Sequence, residues 1–318
     1  MRYSIATTLT SLLASGVLSS PVYSAPPKAH EIVEIPGVWF ENVAVRPNGN
    51  LVLNTIGDGK VYSLNPTQSP PKPQAIAQIG GVKGLFGIAE VGQDTFAIAG
   101  ADYTDGFKNN TLNISLLKFK DNKPSVHTVL ENSKFGPVNG IVALPKHKSI
   151  ILGADSVRGE ILRIDTRSGN IKVAIKHDQL APIAGGPFGL GVNGIKILGD
   201  YLYFTNSARQ SYGRVKIDQL GNQIGKLEVI SQETSTGGSV WAPDDLTLDK
   251  HGNAYVAFWN GSLLKITPDG KKTKLVEDGL LAGATSVTFS KDGKSLYVVT
   301  SGTGLDNVSG GQVVEVEL

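Results

Sequence analysis

Oxygen-donor side chains lead four of six repeated segments along this chain of 318 residues. The segments lie about 40 to 55 residues apart and are Glu41-Asn42-Val43, Phe86-Gly87-Ile88, Asn139-Gly140-Ile141, Asn193-Gly194-Ile195, Asp244-Asp245-Leu246 and Thr285-Ser286-Val287. Carboxylate and amide oxygens are the ligands of hard cations such as Ca²⁺, and carboxyl groups also serve in proton transfer. If Glu41, Asn139, Asn193 and Asp244 converge, they form either a site for a divalent cation and a polar substrate, or a wet channel in which they satisfy one another.

The remainder of each repeat indicates the elements that would bring these side chains together. Each leading segment is followed by two further alternating apolar runs, for example Tyr201 to Thr205 and Arg214 to Ile217 in the fourth repeat. Period-two alternation and turns such as Pro268-Asp269-Gly270 are typical of strands and hairpins. The repeat length is that of a propeller blade. We predict an all-β, six-bladed β-propeller without a long helix, whose leading residues converge at one mouth of the central channel.

The last repeat has three strand-like runs, which end at Leu318. The segment from His30 to Ile35 alternates suitably and has no place in the first repeat. We predict that this N-terminal strand completes the last blade and closes the ring, because closure removes an exposed sheet edge.

The first 25 residues resemble a secretory signal. Arg2 precedes an apolar stretch from Ile5 to Leu18, and the small residues of Val22-Tyr23-Ser24-Ala25 suit a signal-peptidase site. We therefore predict a signal peptide over residues 1–25, one propeller domain over residues 26–318, and a location in the secretory pathway or outside the cell. The acceptor sequons predict glycosylation at Asn109, Asn113, Asn260 and Asn307.

The amino-acid composition of the chain limits the kinds of partner that we expect. With 40% hydrophobic residues, 18% charged residues and a formal net charge of +2, the chain resembles a soluble globular domain and gives no reason to expect nucleic acid or, after signal removal, stable insertion in a membrane. It has no cysteine, so stability must come from burial and not from disulfides. No spacing suggests a Ser-His-Asp triad, and no glycine-rich loop precedes a helix. The expected partner is a small molecule, and the oligomeric state stays open.

Two stretches resemble the senescence-marker protein, gluconolactonase and luciferin-regenerating enzyme family of six-bladed propellers, which includes regucalcin. They run from Asn193-Gly194-Ile195 through Asn206-Ser207, and from Ala242-Pro243-Asp244-Asp245 to Ala257. The resemblance implies that Glu41, Asn139, Asn193 and Asp244 bind a divalent cation such as Ca²⁺. It also implies that Asp244 is the general base of a cation-dependent lactonase or esterase.

Two departures from the hydrolase pattern weaken that implication. The family's lactonases usually have Asn-Asp where this chain has Asn139-Gly140, and they have Asp-Ser where it has Asn206-Ser207. Each change removes a carboxylate from the predicted mouth, which lowers cation affinity and leaves fewer acid and base groups.

The segments Phe40 to Leu51 and Phe86-Gly87-Ile88-Ala89-Glu90 are more similar to a fungal natural-product branch of this superfamily. That branch includes hetero-Diels–Alderases of tropolone–sesquiterpene assembly, which dehydrate a hydroxymethyl precursor to a quinone methide and guide its cycloaddition to an alkene. The resemblance implies such a reaction in secondary metabolism without a required cofactor. Asp244 and Glu41 are then the candidate catalytic residues, with Asn139, Asn193 and Asn206 as polar positioning groups.

Aromatic and polar residues near the predicted mouth are candidates to bind an apolar substrate. They follow second strands or precede leading residues, and they are Trp39, Tyr103, Arg158, Phe188, Asn206, Arg209, Tyr212, Trp241 and Trp259. Each aromatic alone also suits core packing. A noncatalytic propeller that binds a ligand or a protein is the remaining hypothesis, because the scaffold serves both purposes.

Overall fold

The structure is a computed structural model, and it describes residues 27–104, 106, 110–184, 189–232, 242–276 and 279–318. The predicted signal peptide, the candidate residues Phe188 and Trp241, and the sequon residue Asn109 lie outside the described residues. Within them the chain forms β-strands and one short 3-10 turn, Asp178–Leu180. No helix of the described part is long and apolar enough to span a membrane.

The strands follow one another along the whole described chain. They are β1 Ala29–Pro36, β2 Trp39–Val45, β3 Leu51–Ile56, β4 Lys60–Leu64, β5 Gln74–Gln78, β6 Gly84–Gly92, β7 Thr95–Ala101, β8 Leu112–Lys120, β9 Lys123–Ser133, β10 Val138–Leu144, β11 His147–Asp155, β12 Glu160–Asp165, β13 Ile171–Lys176, β14 Val192–Leu198, β15 Tyr201–Asn206, β16 Ser211–Ile217, β17 Gln223–Gln232, β18 Pro243–Leu248, β19 Ala254–Phe258, β20 Ser262–Ile266, β21 Lys272–Lys274, β22 Ala284–Phe289, β23 Ser295–Thr300 and β24 Gly310–Glu317.

The strands pair antiparallel in groups of four. Three sheets contain β10 to β13, β14 to β17 and β18 to β21, which we call groups 3, 4 and 5, and a fourth sheet, group 6, has the order β1-β24-β23-β22. An eight-stranded sheet holds β2 to β5 (group 1) and β6 to β9 (group 2), joined by the single pair Ile56↔Gly84. This is an all-β propeller, as the alternation of the sequence predicts.

The N-terminal strand β1 pairs with β24 at the outer edge of group 6. The register runs from Ala29↔Val316 to Pro36↔Gly310. The predicted strand from His30 to Ile35 therefore does pair with the last strand of the described chain. It covers the edge of β24, which would otherwise present unpaired backbone groups.

Apolar side chains pack between successive groups. In the described residues, six clusters of buried apolar side chains join group 1 to 2, 2 to 3, 3 to 4, 4 to 5, 5 to 6 and 6 to 1. Between groups 3 and 4, for example, Leu152 and Ile161 pack in one cluster with Ile195 and Phe204. The outermost strands are far more exposed, as β17 shows. Face-to-face burial of this kind is the main stabilising contribution in a chain without disulfides.

Each innermost strand carries a β-bulge at its leading segment. The pairing of β14 with β15 passes from Val192↔Asn206 to Ile195↔Phe204, so that two residues of β14 oppose one of β15. Corresponding shifts occur in β2, β6, β10, β18 and β22. A bulge bends the strand and redirects its side chains, which explains why the repeated residues can leave the ladder and meet near the channel.

The predicted sequons differ in their accessibility. Asn113 is only 4% exposed and lies within β8, so a glycan on its amide nitrogen does not fit the folded chain, and this prediction needs correction. Asn260 is half-buried and Asn307 is exposed, which leaves glycosylation at these two positions as predictions.

Candidate functional site

A cavity of about 170 Å³ lies at one end of the innermost strands. Its lining residues come from distant parts of the chain and are Trp39, Glu41, Ile56, Tyr103, Asn139, Leu190, Asn193, Ser207, Ala242, Asp244 and Trp259. All four repeated oxygen donors are among them, together with Trp39, Tyr103 and Trp259. The bulges of β2, β10, β14 and β18 thus bring together side chains that are distant in sequence, from Glu41 to Asp244.

Two buried carboxyl groups, those of Glu41 and Asp244, face this cavity. Burial is the main cause that raises the pKa of Glu41 well above its ordinary value, and the negative charges of Asp244 and Asp245 add to the rise. The indole Nε1–H of Trp39 opposes it by donating a hydrogen bond to Glu41 Oε2 over 3.1 Å. Burial, and then the charge of Asp245, also raise the pKa of Asp244 well above its ordinary value, against a hydrogen bond from Asn193.

The two carboxyl groups differ in their neighbours. Asp244 and Asp245 both disfavour a negative charge on Glu41, whereas Asp244 is opposed by Asp245 and supported by the Asn193 amide. Among the described residues no Lys or Arg forms an ion pair with either group. Like charges that share a site without a counter-ion retain a proton. Burial and like charge therefore favour a proton retained on the pair of Glu41 and Asp244.

A polar chain at the second bulge positions lies beside the two carboxyl groups. Asp245 is buried, and its Oδ1 lies 2.7 Å from Lys196 Nζ in an ion pair. Ser286 Oγ lies 3.0 Å from both Asp245 Oδ2 and Asn42 Oδ1, and its single proton can be donated to one of them at a time. Lys196 thus compensates the charge of Asp245 and leaves Glu41 and Asp244 without a cationic partner.

The oxygen donors of the cavity fit a hard divalent cation. Asn193 Oδ1 is buried and has no hydrogen-bond partner, and the neighbouring Glu41 and Asp244 repel each other. A cation bound by Glu41, Asn139, Asn193 and Asp244 would satisfy that oxygen and compensate both carboxylates. The set is poorer in charge than a typical calcium site, since the described residues contain no cluster of three His, Cys, Asp or Glu suited to a metal.

Aromatic rings form one wall of the cavity. The Trp39 ring lies 5.3 Å from the Trp259 ring and 6.3 Å from the Tyr103 ring, centroid to centroid. Ile56, Leu190 and Ala242 extend this apolar wall. The cavity thus combines hydrogen-bonding and proton-transfer groups with an apolar surface, a combination that suits a largely apolar molecule with a polar end.

Four lining residues were not among the candidates from the sequence, namely Ile56, Leu190, Ser207 and Ala242. Ser207 follows Asn206 directly in the segment that carries the family resemblance, so its position was a usable signal. The three apolar residues lie at strand ends or just before leading residues, but nothing in their type separates them from core residues.

Three polar candidates form turns and do not line the cavity. Asn206 Oδ1 accepts a hydrogen bond from the Arg209 backbone N–H over 3.0 Å, and its Nδ2 donates to the carbonyls of Gln179 and Ala181. Arg209 Nε also donates to Ala181 O. Arg158 forms an ion pair with buried Asp155 over 3.3 Å. Asn206, Arg158 and Arg209 thus hold the surrounding turns together, and their contact with a substrate stays a prediction.

Tyr212 also lies away from the cavity. It is 2% exposed and stacks on Tyr203, with 6.1 Å between ring centroids, inside the apolar cluster between groups 4 and 5. Burial raises its pKa strongly. Its predicted contact with substrate is corrected to a role in core packing.

Comparisons with known proteins find sequence similarity to one family over part of the chain. The family model described as "SMP-30/Gluconolactonase/LRE-like region" matches residues 189–302, which include Asn193 and Asp244. A protein of Sarocladium schorii named "Putative hetero-Diels-Alderase asR5" is 28% identical over 58% of this chain and 52% of its own length. The match thus spans about half the length of that relative. A "Putative hetero-Diels-Alderase" of Phoma sp is 27% identical over 82% of this chain and 83% of its own.

Solved structures share the fold. A luciferin-regenerating enzyme aligns with a TM-score of 0.65 at 16% identity, and regucalcin of Agrobacterium tumefaciens, a calcium-binding protein, aligns with a TM-score of 0.65 at 17% identity. Each alignment covers 92% of this chain and 95% of the other. The resemblance inferred from the sequence to this group and to its fungal hetero-Diels–Alderases is confirmed.

Proposed function

We propose that this chain, which resembles the SMP-30, gluconolactonase and luciferin-regenerating enzyme group, is an enzyme of secondary metabolism that dehydrates and cyclises a largely apolar metabolite. The reaction is a hetero-Diels–Alder step of the kind used in tropolone–sesquiterpene biosynthesis. The observation that carries the proposal is the proton-holding pair of Glu41 and Asp244 beside aromatic rings in one cavity. The two fungal relatives support it.

The dehydration uses the two carboxyl groups in complementary roles. Glu41 donates its proton to the hydroxymethyl oxygen of the substrate, whose C–O bond breaks so that water leaves. Asp244 accepts the proton of the adjacent ring hydroxyl, which leaves a neutral quinone methide. The pair ends with one proton, as it began, and transfer of that proton from Asp244 to Glu41 restores the starting state. Positioned acid and base groups of this type contribute about 100-fold to 10,000-fold each.

The cycloaddition needs no further proton transfer. The quinone methide oxygen and its exocyclic carbon form one C–O and one C–C bond with an alkene. The amide of Asn139 supplies a hydrogen-bond donor for the quinone methide oxygen, and Asn193 positions Asp244. Trp39, Tyr103 and Trp259 orient the two apolar reactants. Orientation in a shaped cavity is the main catalytic contribution that such a reaction requires.

The main alternative is a hydrolase that depends on a divalent cation. Glu41, Asn139, Asn193 and Asp244 would hold it, and when bound it polarises a substrate carbonyl or hydroxyl as a Lewis acid. The orphaned Asn193 Oδ1 favours this cation-dependent lactonase or esterase as a second function. A noncatalytic binding propeller remains the third hypothesis, and it predicts no turnover of either substrate class.

We infer further that the sheets form six blades and that β1 closes the ring. Three observations support a count of six blades. The eight-stranded sheet is joined at a single residue pair, six apolar clusters lie between the groups, and each innermost strand carries a bulge. A signal peptide over residues 1–25 and a secretory or extracellular location stay predictions, which N-terminal sequencing of the secreted protein would test.

The test of the proposed function uses a simple substrate of the right class. Purified protein is given 2-(hydroxymethyl)phenol with ethyl vinyl ether, and formation of the chroman is followed by chromatography. We expect turnover in the presence of a chelator, and a loss of about 100-fold or more in Glu41→Gln and in Asp244→Asn. Glu160→Gln, which changes another buried glutamate away from the cavity, serves as the control.

Unchanged turnover in Glu41→Gln would contradict the proposal, whereas cation-dependent hydrolysis of a lactone such as glucono-1,5-lactone would favour the alternative.

A further inference from the structure

A four-residue motif occurs twice where a second strand ends. It is Asp155-Ser156-Val157-Arg158 after β11 and Asn206-Ser207-Ala208-Arg209 after β15. In both copies the side-chain Oδ1 of the first residue accepts a hydrogen bond from the backbone N–H of the arginine, over 2.9 Å and 3.0 Å respectively. These bonds close the two turns in the same way and leave each serine at an equivalent, buried position.

Each serine hydroxyl bonds to the next strand group. Ser156 Oγ donates to Val192 O over 2.6 Å, and Ser207 Oγ donates to Pro243 O over 2.8 Å. Val192 and Pro243 directly precede the cavity residues Asn193 and Asp244. Each motif therefore ties the end of one second strand to the start of the neighbouring bulged strand.

Ser207 differs from Ser156 in one contact. Its Oγ also accepts a hydrogen bond from Asn193 Nδ2 over 2.9 Å, and Ser207 lines the cavity whereas Ser156 does not. A hydroxyl can donate once and accept twice, so both bonds of Ser207 are satisfied together. The Asn193 amide also hydrogen bonds the carboxyl group of Asp244, while its Oδ1 has no partner.

These bonds determine the orientation of the Asn193 amide. Because Ser207 already donates its proton to Pro243 O, it presents only acceptor capacity to Asn193. Rotation of the amide by 180° would place Oδ1 against that acceptor and against Asp244, and both hydrogen bonds would be lost. The amide therefore directs Nδ2 at Asp244 and leaves Oδ1 available to a ligand.

We propose that Ser207 is a positioning residue, which fixes the amide orientation of Asn193 and through it the hydrogen bond to Asp244. Ser156 makes the matching inter-group bond without the contact to a cavity side chain, and is the natural control. The orientation follows from the contacts alone, whereas the effect on turnover rests on the proposed function.

The experiment compares Ser207→Ala, Ser207→Thr and Ser156→Ala in the protein produced from the full chain. Thermal unfolding measures the structural cost of each change. Side-chain amide signals of protein labelled with ¹⁵N-asparagine report on Asn193, whose signal is identified as the one that Asn193→Asp removes. Turnover of 2-(hydroxymethyl)phenol with ethyl vinyl ether is measured in parallel.

We expect both alanine variants to lose thermal stability, because each removes one buried inter-group hydrogen bond, and we expect Ser207→Ala to lose more, because it also removes the bond from Asn193. Only Ser207→Ala should shift the Asn193 amide signal and speed its hydrogen exchange, and only it should lower kcat, by about tenfold for one lost positioning bond. Its KM should change little, and Ser207→Thr should restore both the signal and kcat. An Asn193 signal that is the same in Ser207→Ala as in Ser156→Ala would overturn the proposal. Absence of turnover in the unsubstituted protein, with the signal shifted in Ser207→Ala alone, would instead reject the proposed reaction and leave the positioning role supported.

Discussion

At the scale of single residues, the candidate chemistry depends on two carboxyl groups that form no ion pair with a Lys or Arg of the described residues. Lys196 is paired with Asp245, so the charge of Glu41 and Asp244 is opposed by burial and by mutual repulsion. A metal ion or a shared proton can relieve that repulsion. The cation-dependent hydrolase corresponds to the metal ion and the dehydrating cyclase to the shared proton. The two hypotheses predict different pH dependences of turnover.

The first prediction concerns the pH dependence of turnover. The dehydration needs Glu41 protonated and Asp244 ionised, and burial raises the pKa of both groups. kcat/KM should therefore rise with pH as Asp244 ionises and fall at higher pH as Glu41 ionises, even if the protein remains folded. A plot of kcat/KM against pH tests this. An increase with pH that is not followed by a fall would fit ionised carboxylates that hold a cation and would contradict the proton-donor role of Glu41.

The second prediction concerns the stability cost of the same pair. Because the folded-state pKa of Asp244 lies above its unfolded value, folding is favoured most at low pH, and this contribution is lost as the pH rises from the unfolded to the folded pKa. Asp244→Asn removes the buried charge, so we expect its Tm to exceed that of the unsubstituted protein at pH 8 while turnover falls. The exposed Asp200→Asn should change neither. A lower Tm for Asp244→Asn would show that the carboxylate is stabilised in the folded state.

At the scale of elements, the bulged innermost strands decide which residues reach the cavity. Gly140 and Gly194 occupy the second bulge position because neighbouring strands approach too closely there for a side chain. A Cβ on Gly140 would lie 2.6 Å from Asn193 O and 2.9 Å from Gly194 Cα. The Asn-Gly pairs of the sequence are therefore sites of close backbone approach and not ordinary turns.

The third prediction tests this close approach. Gly140→Ala should destabilise the protein by about 1–3 kcal/mol, as overpacking does elsewhere, because the clash is with backbone that cannot rotate away. Gly80→Ala is the matched control, since a Cβ there meets nothing within 4 Å and its backbone is not left-handed. Urea unfolding of both variants measures the difference. Equal stability of the two would mean that the innermost strands separate at little cost.

At the scale of the whole molecule, β1 connects the two ends of the described chain. It pairs with β24 along its length, and Ile32, Val33 and Ile35 pack against the cluster between groups 6 and 1. The strand thus contributes both hydrogen bonds and apolar burial at the junction of first and last groups.

The fourth prediction is that deletion of residues 29–36 destabilises the whole protein. The edge of β24 would lose its partner and the cluster beside it would open, so we expect a much lower Tm and concentration-dependent aggregation. Replacement of the short, exposed strand β21, Lys272–Lys274, by Gly-Ser-Gly is the control and should cost little. If deletion of β1 had no larger effect than this replacement, the strand would not close a cooperative ring.

The strands, their repeat and the identity of the four oxygen donors follow from the local amino-acid pattern. Period-two alternation and turn residues are local properties, and the recurrence of the leading segment indicated which residues of each repeat are equivalent. For the same reason the convergence of Glu41, Asn139, Asn193 and Asp244 could be predicted before any distance was known.

The surroundings of those donors depend on how the strand groups pack against one another. Whether Tyr212 packs in the core or Tyr103 lines the cavity depends on which neighbouring group covers each ring. Whether Asn206 meets a substrate or closes a turn depends on the carbonyls of Gln179 and Ala181. The link from Ser207 to Asn193 and Pro243 joins two groups through contacts that no local pattern encodes, because burial, charge and hydrogen-bond partners are set by residues distant in sequence.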